Sequence, residues 1–333
     1  MIEKKNESIS FFISQRNAAK HLFTPGPASL LSENITGLRP CFGRGDSDYQ
    51  HTHKRVLELL MDMSGHERVV ALQGSASLAL EIMAHNFLAG KVLVVETGYY
   101  SERFAQIADL VKETTEVIEN IVVVNWQDIE KFQGKFDWVL ACSTETSIGL
   151  KLPIEWLSMQ AKRLQAKLML DATASIGLEI GHEMADALAY SSCKGLFGLT
   201  GAAFIAYNNL NTNIVKSFYL DLQNHIDKKM TGPYHAVASL LDVLPIHDFF
   251  RESVVINKEV FCAKMKKYLV HDDEHQPLLC TQVNKKLNGK GEKDILYQSR
   301  ANIDGQVVSH LGEAHLGKSA KGVILDNLIL DES

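Results

Sequence analysis

The sequence predicts an α/β fold: a large α/β domain built on a seven-stranded, mainly parallel sheet, followed by a smaller C-terminal α+β domain. Three observations predict it. From about residue 68 to 206, short β-branched runs alternate with amphipathic stretches of helical length. Their strand-then-helix order is that of right-handed crossovers between parallel strands. Beyond roughly residue 232 the alternation stops, and helical stretches give way to short strands among Gly- and Lys-rich turns.

The strand candidates, in order, are Arg68–Leu72, Lys91–Glu96, Ile121–Val124, Phe136–Cys142, Lys167–Asp171, Ala185–Tyr190 and Ala202–Tyr207. Between them, Ser77–Leu88, Ser101–Lys112 and Ile154–Gln165 carry apolar residues at helical spacing. Pro233–Leu244 and Phe249–Leu269 also read as helices, and Lys285–Lys293 (KKLNGKGEK) as a solvated turn. The expected division is an N-terminal arm over 1–21, a large domain over 22–232 and a small domain over 233–333.

The 333 residues suffice for a large core, and 46% hydrophobic against 22% charged residues is ordinary for a soluble globular chain. A net charge of −6 lacks the basic excess that neutralising several phosphates requires, which argues against nucleic acid as a partner. The apolar stretch Ile9–Ile13 is too short for a signal sequence, and no run is long enough to span a bilayer. Cys41, Cys142, Cys193, Cys262 and Cys280 are odd in number and contain no CxxC pair, so a reduced, cytoplasmic setting without a zinc site is expected.

Ligands of open α/β sheets bind beyond the carboxyl ends of the strands, and four segments there carry chemistry. Gln73-Gly74-Ser75-Ala76-Ser77 ends a strand and opens a helix, so its free N–H groups and hydroxyls make an anion site suited to a phosphate. Taken singly it is also an ordinary serine cap. Tyr99-Tyr100 follows the strand KVLVVE and offers a ring to lie flat on a planar cofactor, or simple packing. Asp171 ends the apolar strand KLMLD, where a carboxylate can hold a protonated pyridine nitrogen or cap a helix. Lys194 stands between a buried strand and the glycine-rich run Gly195–Gly201; a lysine there either reaches the surface or forms an imine, which removes the cost of a buried ammonium. Their order along the chain is more informative than any one of them.

These segments, with Phe23-Thr24-Pro25-Gly26-Pro27, Gly98–Arg103 (GYYSER), Glu145–Gly149 (ETSIG), DATAS, SSCKGLFGLTGAAFIAY, Ser217–Asp221 and Thr231-Gly232-Pro233-Tyr234-His235, resemble the class V aminotransferases. These are fold-type I enzymes dependent on pyridoxal 5′-phosphate (PLP). The resemblance covers roughly residues 22 to 245 and is greatest to the 2-aminoethylphosphonate–pyruvate and alanine–glyoxylate branches. It implies that Lys194 holds the cofactor as an imine and shuttles the substrate proton, that Asp171 pairs with the pyridinium, and that Tyr100 stacks on the ring. It further implies Thr146 near the ring hydroxyl, Thr173 on the other face, and Ser75, Ala76, Ser77 and Ser192 around the phosphate. Thr231 would reach the phosphate of a neighbouring subunit, which implies a homodimer.

Three departures stand out. Ala76 replaces the usual second glycine of the phosphate loop, and Cys193 stands where the family often has Gln or Asn. Val307-Val308-Ser309-His310-Leu311-Gly312 resembles a segment usually reading R-I-G-H-x-G, so Val307 takes the place of the arginine that clamps a substrate carboxylate. Either Arg44 or Arg300 supplies that cation, or the substrate lacks a carboxylate there. The expected function is a PLP-dependent aminotransferase acting on a small amino donor and an oxo acid such as pyruvate or glyoxylate. The alternatives are a PLP-dependent lyase or decarboxylase and a non-catalytic binding partner. A nicotinamide enzyme is disfavoured, because QGSAS lacks the dinucleotide glycine spacing.

Overall fold

The computed structural model describes residues 2–28, 30–38, 43, 45–312 and 328–330, with side chains from residue 9 onward. Its elements begin with helix α1 (Ile2–Asn17), strand β1 (His21–Phe23), α2 (Ser32–Thr36) and α3 (Ser47–Ser64). Then come β2 (Arg68–Gln73), α4 (Ala76–Phe87), β3 (Gly90–Glu96), α5 (Tyr99–Thr114), β4 (Ile118–Asn125), β5 (Trp138–Cys142), the short β6 (Thr144–Glu145) and β7 (Leu150–Lys151), and α6 (Ile154–Arg163). The sheet is completed by β8 (Lys167–Asp171), β9 (Ala187–Ser191) and β10 (Ala202–Tyr207). After these run α7 (Leu222–Ile226), α8 (Tyr234–Ala238), α9 (His247–Met265), β11 (Cys280–Val283), β12 (Leu287–Gly289), β13 (Asp294–Leu296), β14 (Gln306–Ser309) and β15 (Leu328–Leu330).

The seven expected strands form one sheet in the order β2-β10-β9-β8-β5-β3-β4, parallel throughout except for β10, which is antiparallel to both neighbours. Strands covered on both faces have no polar face to alternate, and β5 (WVLAC) and β9 (ALAYS) are accordingly buried at every position. One face packs against a cluster that includes Val56, Leu60, Leu157 and Leu240, and the other against α4 and α5 through Leu80, Ile82, Met83, Phe104 and Val111. Burying each such side chain contributes about 1.5–3 kcal/mol. The parallel strands therefore point their carboxyl ends the same way, so Gln73, Glu96, Cys142 and Asp171 open onto one rim.

Outside the sheet, β1 pairs in parallel with β13, β11 pairs with β14, and β12 with β15. The expected helix over Pro233–Leu244 is only partly formed. It ends at Ala238, and a short 3-10 turn over Leu244–Ile246 precedes α9. Past Ala238 the chain continues in turns, with Leu240 N–H on Val237 O and Leu241 N–H on Ala238 O, and Pro245, which has no N–H to donate, sits in the 3-10 turn before α9. Within Lys285–Lys293, Leu287 is buried and anchors β12 against β15, so this stretch is partly strand rather than all turn. Among the described residues, no helix is long and apolar enough to cross a membrane.

Candidate active site

The rim of the sheet holds a cavity of about 430 Å³ lined by the loop Gly74–Ser77, Tyr100, Arg103, Thr146, Asp171, Thr173 and Lys194. Each wall follows from local chain physics. Ser75 is the N-cap of α4, yet its side chain makes no capping bond. The N–H groups of Ala76 and Ser77 are the first of the helix and have no intrahelical acceptor. The positive end of α4 thus faces the cavity, a ready site for an anion.

Asp171 is only 2% exposed, and its charge is compensated within the wall. Its Oδ1 accepts from the Thr173 N–H (3.0 Å) and the Thr173 hydroxyl (2.5 Å), while Oδ2 accepts from Arg103 Nη2 (2.8 Å). Arg103 Nη1 also donates to Ser77 Oγ at 3.0 Å. Its guanidinium carbon lies 4.9 Å from the Tyr100 ring centre, and Lys194 Nζ lies 5.6 Å from the same centre.

Lys194 is held from both sides of the chain. A Cβ on Gly26, whose φ is +132°, would stand 2.9 Å from Lys194 Cγ, so the amino-terminal TPGP turn lies directly on the lysine stem. The N–H of Ala28 donates to Cys193 O at 2.6 Å. After the lysine, a side chain on Gly195 would run into Ile176 O, and the Gly195 carbonyl pairs with His247 Nε2 at 2.6 Å. Burial holds the His247 imidazole below its ordinary range.

Two residues without an assigned role in the sequence reading organise the site. Glu145, fully buried, accepts at Oε2 from the N–H groups of Tyr100 (2.9 Å) and Ser101 (3.2 Å), and at Oε1 from the backbone and hydroxyl of Ser147. It caps α5 and so fixes the backbone that carries Tyr100 and Arg103. Burial raises its carboxyl pKa, against these hydrogen bonds, which lower it. Arg103 is the second. Its signal was its place three residues after Tyr100, on the same helix face. The signal for Glu145 was an acid directly after the wholly apolar strand WVLAC and its short turn.

The other site expectations fall out unevenly. Ser75, Ala76, Ser77, Tyr100, Thr146, Asp171, Thr173, Lys194 and Arg300 all line the cavity. The Thr146 hydroxyl, like that of nearby Thr144, is buried without a hydrogen-bond partner among the described residues. Ser192 turns away: its hydroxyl sits on the carbonyls of Leu199 (2.5 Å) and Ala202 (3.1 Å), and its neighbours Ser191 and Cys193 line the cavity instead. Thr231 is elsewhere, in a separate apolar cavity of about 400 Å³ with Tyr49, Met61, Tyr219 and Tyr234. Arg300 is exposed at the mouth, donating from Nη1 to Tyr99 Oη at 2.8 Å with its guanidinium 5.1 Å from that ring's centre. Val307 is 0% exposed on β14, packed in an apolar cluster with Leu31, Ala174 and Leu279. Arg44 and Cys41 lie outside the described residues.

No family model matches the chain. Among curated proteins it is 29% identical over 257 residues to a 2-aminoethylphosphonate–pyruvate transaminase of Pseudomonas aeruginosa, covering 70% of this chain and 69% of that one. A transaminase of the same name from Rhizobium meliloti is 25% identical over 252 residues, covering 68% of this chain and 66% of that one. Among solved structures, the alanine–glyoxylate aminotransferase of Nostoc sp. aligns over 92% of this chain and 93% of its own with a TM-score of 0.75 at 16% identity. The ureidoglycine–glyoxylate aminotransferase of Bacillus subtilis aligns over 92% of this chain and 97% of its own with a TM-score of 0.72 at 17% identity. The structural likeness shows the fold, that of the fold-type I aminotransferases, and the sequence relatives make the chain similar to the class V aminotransferases.

Proposed function

We propose that the chain binds PLP in the 430 Å³ cavity and transfers an amino group from a small anionic amine to an oxo acid such as pyruvate or glyoxylate. The observation that carries the reading is the convergence of Lys194, Asp171, Tyr100 and the open amino terminus of α4 on one space. The fit is chemical as well as spatial. The free N–H groups and hydroxyls of Ser75–Ser77 suit a phosphate, the Asp171 carboxylate suits a ring nitrogen, and the unpartnered hydroxyls of Thr144 and Thr146 suit a ring oxygen. Bound there, PLP supplies an electron sink for a carbanion at the substrate α-carbon.

The chain's own residues do the rest. The amine of Lys194 is the nucleophile and carries the proton at Nζ, and Gly26 lies against its stem. Tyr100 bounds the cavity with a flat ring whose backbone is fixed by Glu145. Arg300 is the cation at the mouth for the donor's carboxylate or phosphonate, in place of the arginine that Val307 replaces. Thr231, which lines a separate cavity rather than this chain's own, supports the reading of a homodimer in which it serves the partner's site. A steady-state assay with 2-aminoethylphosphonate, alanine and related amines against pyruvate and glyoxylate tests the function. Stoichiometric oxo product and new amino acid support it. Release of carbon dioxide without amino transfer contradicts it.

A further inference from the structure

We infer that Arg103 is a positioning residue for Asp171, holding the carboxylate so that its last free acceptor site faces the cavity. This rests on the PLP reading above. An ionised carboxylate offers about four acceptor sites. Among the described residues Thr173 takes two at Oδ1, through its N–H and its hydroxyl, and Arg103 takes one at Oδ2. One site at Oδ2 is left.

The same guanidinium grips Ser77 Oγ at 3.0 Å and lies against Tyr100, so one side chain links the phosphate loop, the flat ring and the acid. Arg103 Nε is buried and has no hydrogen-bond partner among the described residues, so its two terminal nitrogens carry its hold on the wall. The link continues outward. Glu145 caps α5 at Tyr100 and Ser101, and the first turns of α5 carry Arg103 to Asp171. Two effects of Arg103 on a protonated ring nitrogen oppose each other: it orients the accepting oxygen, and it repels the ring's charge. Orientation dominates, because Asp171 is 2% exposed and hardly open to realignment by solvent, while the guanidinium's charge is already spent on that same carboxylate.

The test compares PLP with its 1-deaza analogue, in which the ring nitrogen is replaced by CH, on wild type, Arg103→Gln and Arg103→Lys. Dissociation constants are measured by fluorescence, with thermal melts of the cofactor-free proteins as the fold control. Arg103→Gln is expected to weaken PLP about tenfold or more and the analogue by less than about threefold. Arg103→Lys recovers part of the loss, since an ammonium keeps the charge but cannot fork between Ser77 and Asp171. Should the Gln variant fail to fold, the ratio of the two affinities in Arg103→Lys carries the comparison, and it falls below the wild-type ratio. Equal losses for both ligands, no loss for PLP, or tighter PLP binding overturns the inference. Wild type that binds no PLP removes the cofactor reading itself, whereas wild type that binds and variants that do not discriminate remove Arg103 alone.

Discussion

The floor of the cavity and its mouth are built on opposite terms. On the floor, both acids are tied down: Asp171 by Thr173 and Arg103, and Glu145 by the start of α5. At the mouth, Arg300 is exposed and its side chain rests on Tyr99, and the position that the resemblance gives to an arginine is a core valine. Under the proposed function, the difference teaches that the parts assigned to the cofactor and the parts assigned to the substrate are free to change independently. A rigid, buried floor preserves the chemistry while an exposed rim alters what is bound.

The largest expected effect lies on the floor. Lys194→Ala lowers kcat by about a thousandfold or more, because the amine that moves the proton is gone, and single-turnover kinetics with a saturating donor measures it. Retained turnover would break the contrast at its strongest point. Next comes Val307→Arg, which a simple view expects to restore the missing clamp. Val307 is fully buried among apolar side chains, so the account expects destabilisation of about 3 kcal/mol or more in urea unfolding and no gain in substrate affinity.

Acid should reveal the support beneath the site before the mouth. Burial lowers the His310 pKa to about 3 and the His182 pKa to about 4, below the ordinary value of 6.5. The unfolded chain then binds more protons than the folded one, so this stability is complete above pH 6.5 and falls as the pH drops toward the folded pKa values. Unfolding at pH 7 and pH 5 should differ by roughly 2 kcal/mol for each of the two groups. His310→Gln, which can keep a hydrogen bond to Thr281 Oγ1, should flatten that slope. The smallest effect is at the mouth. Arg300→Gln should raise KM for anionic donors about tenfold and leave kcat nearly unchanged, with neutral amines unaffected. An equal change for neutral amines would mean that Arg300 shapes the mouth rather than reading charge.

The same contrast governs what the sequence makes legible. Asp171 ends an apolar strand and Lys194 follows another within three residues, and a charged residue there announces itself locally. Tyr100 and Ser75–Ser77 are readable for the same reason. Glu145 and Arg103 take their meaning from contacts 45 and 68 residues away along the chain, Glu145 to the Tyr100 N–H and Arg103 to Asp171, and no local pattern encodes that meeting. Ser192 illustrates the reverse: its sequence neighbourhood fits a phosphate contact, but a hydroxyl alternating with Ser191 and Cys193 faces the backbone of the following loop. The seven strands follow from apolar runs that must be covered on both faces. Helical length after Tyr234 is not legible locally, because apolar residues continue past Ala238 while the backbone there passes into turns.

The central claim is that Lys194 carries the cofactor. The direct measurement is the absorption spectrum of the protein mixed with PLP, followed by borohydride reduction and peptide mass analysis, on wild type and Lys194→Ala. The account expects a near-visible band in wild type that reduction abolishes, with the added mass on the peptide containing Lys194 and no such band or adduct in the variant. A wild type that binds no PLP, or an adduct on another lysine, contradicts it.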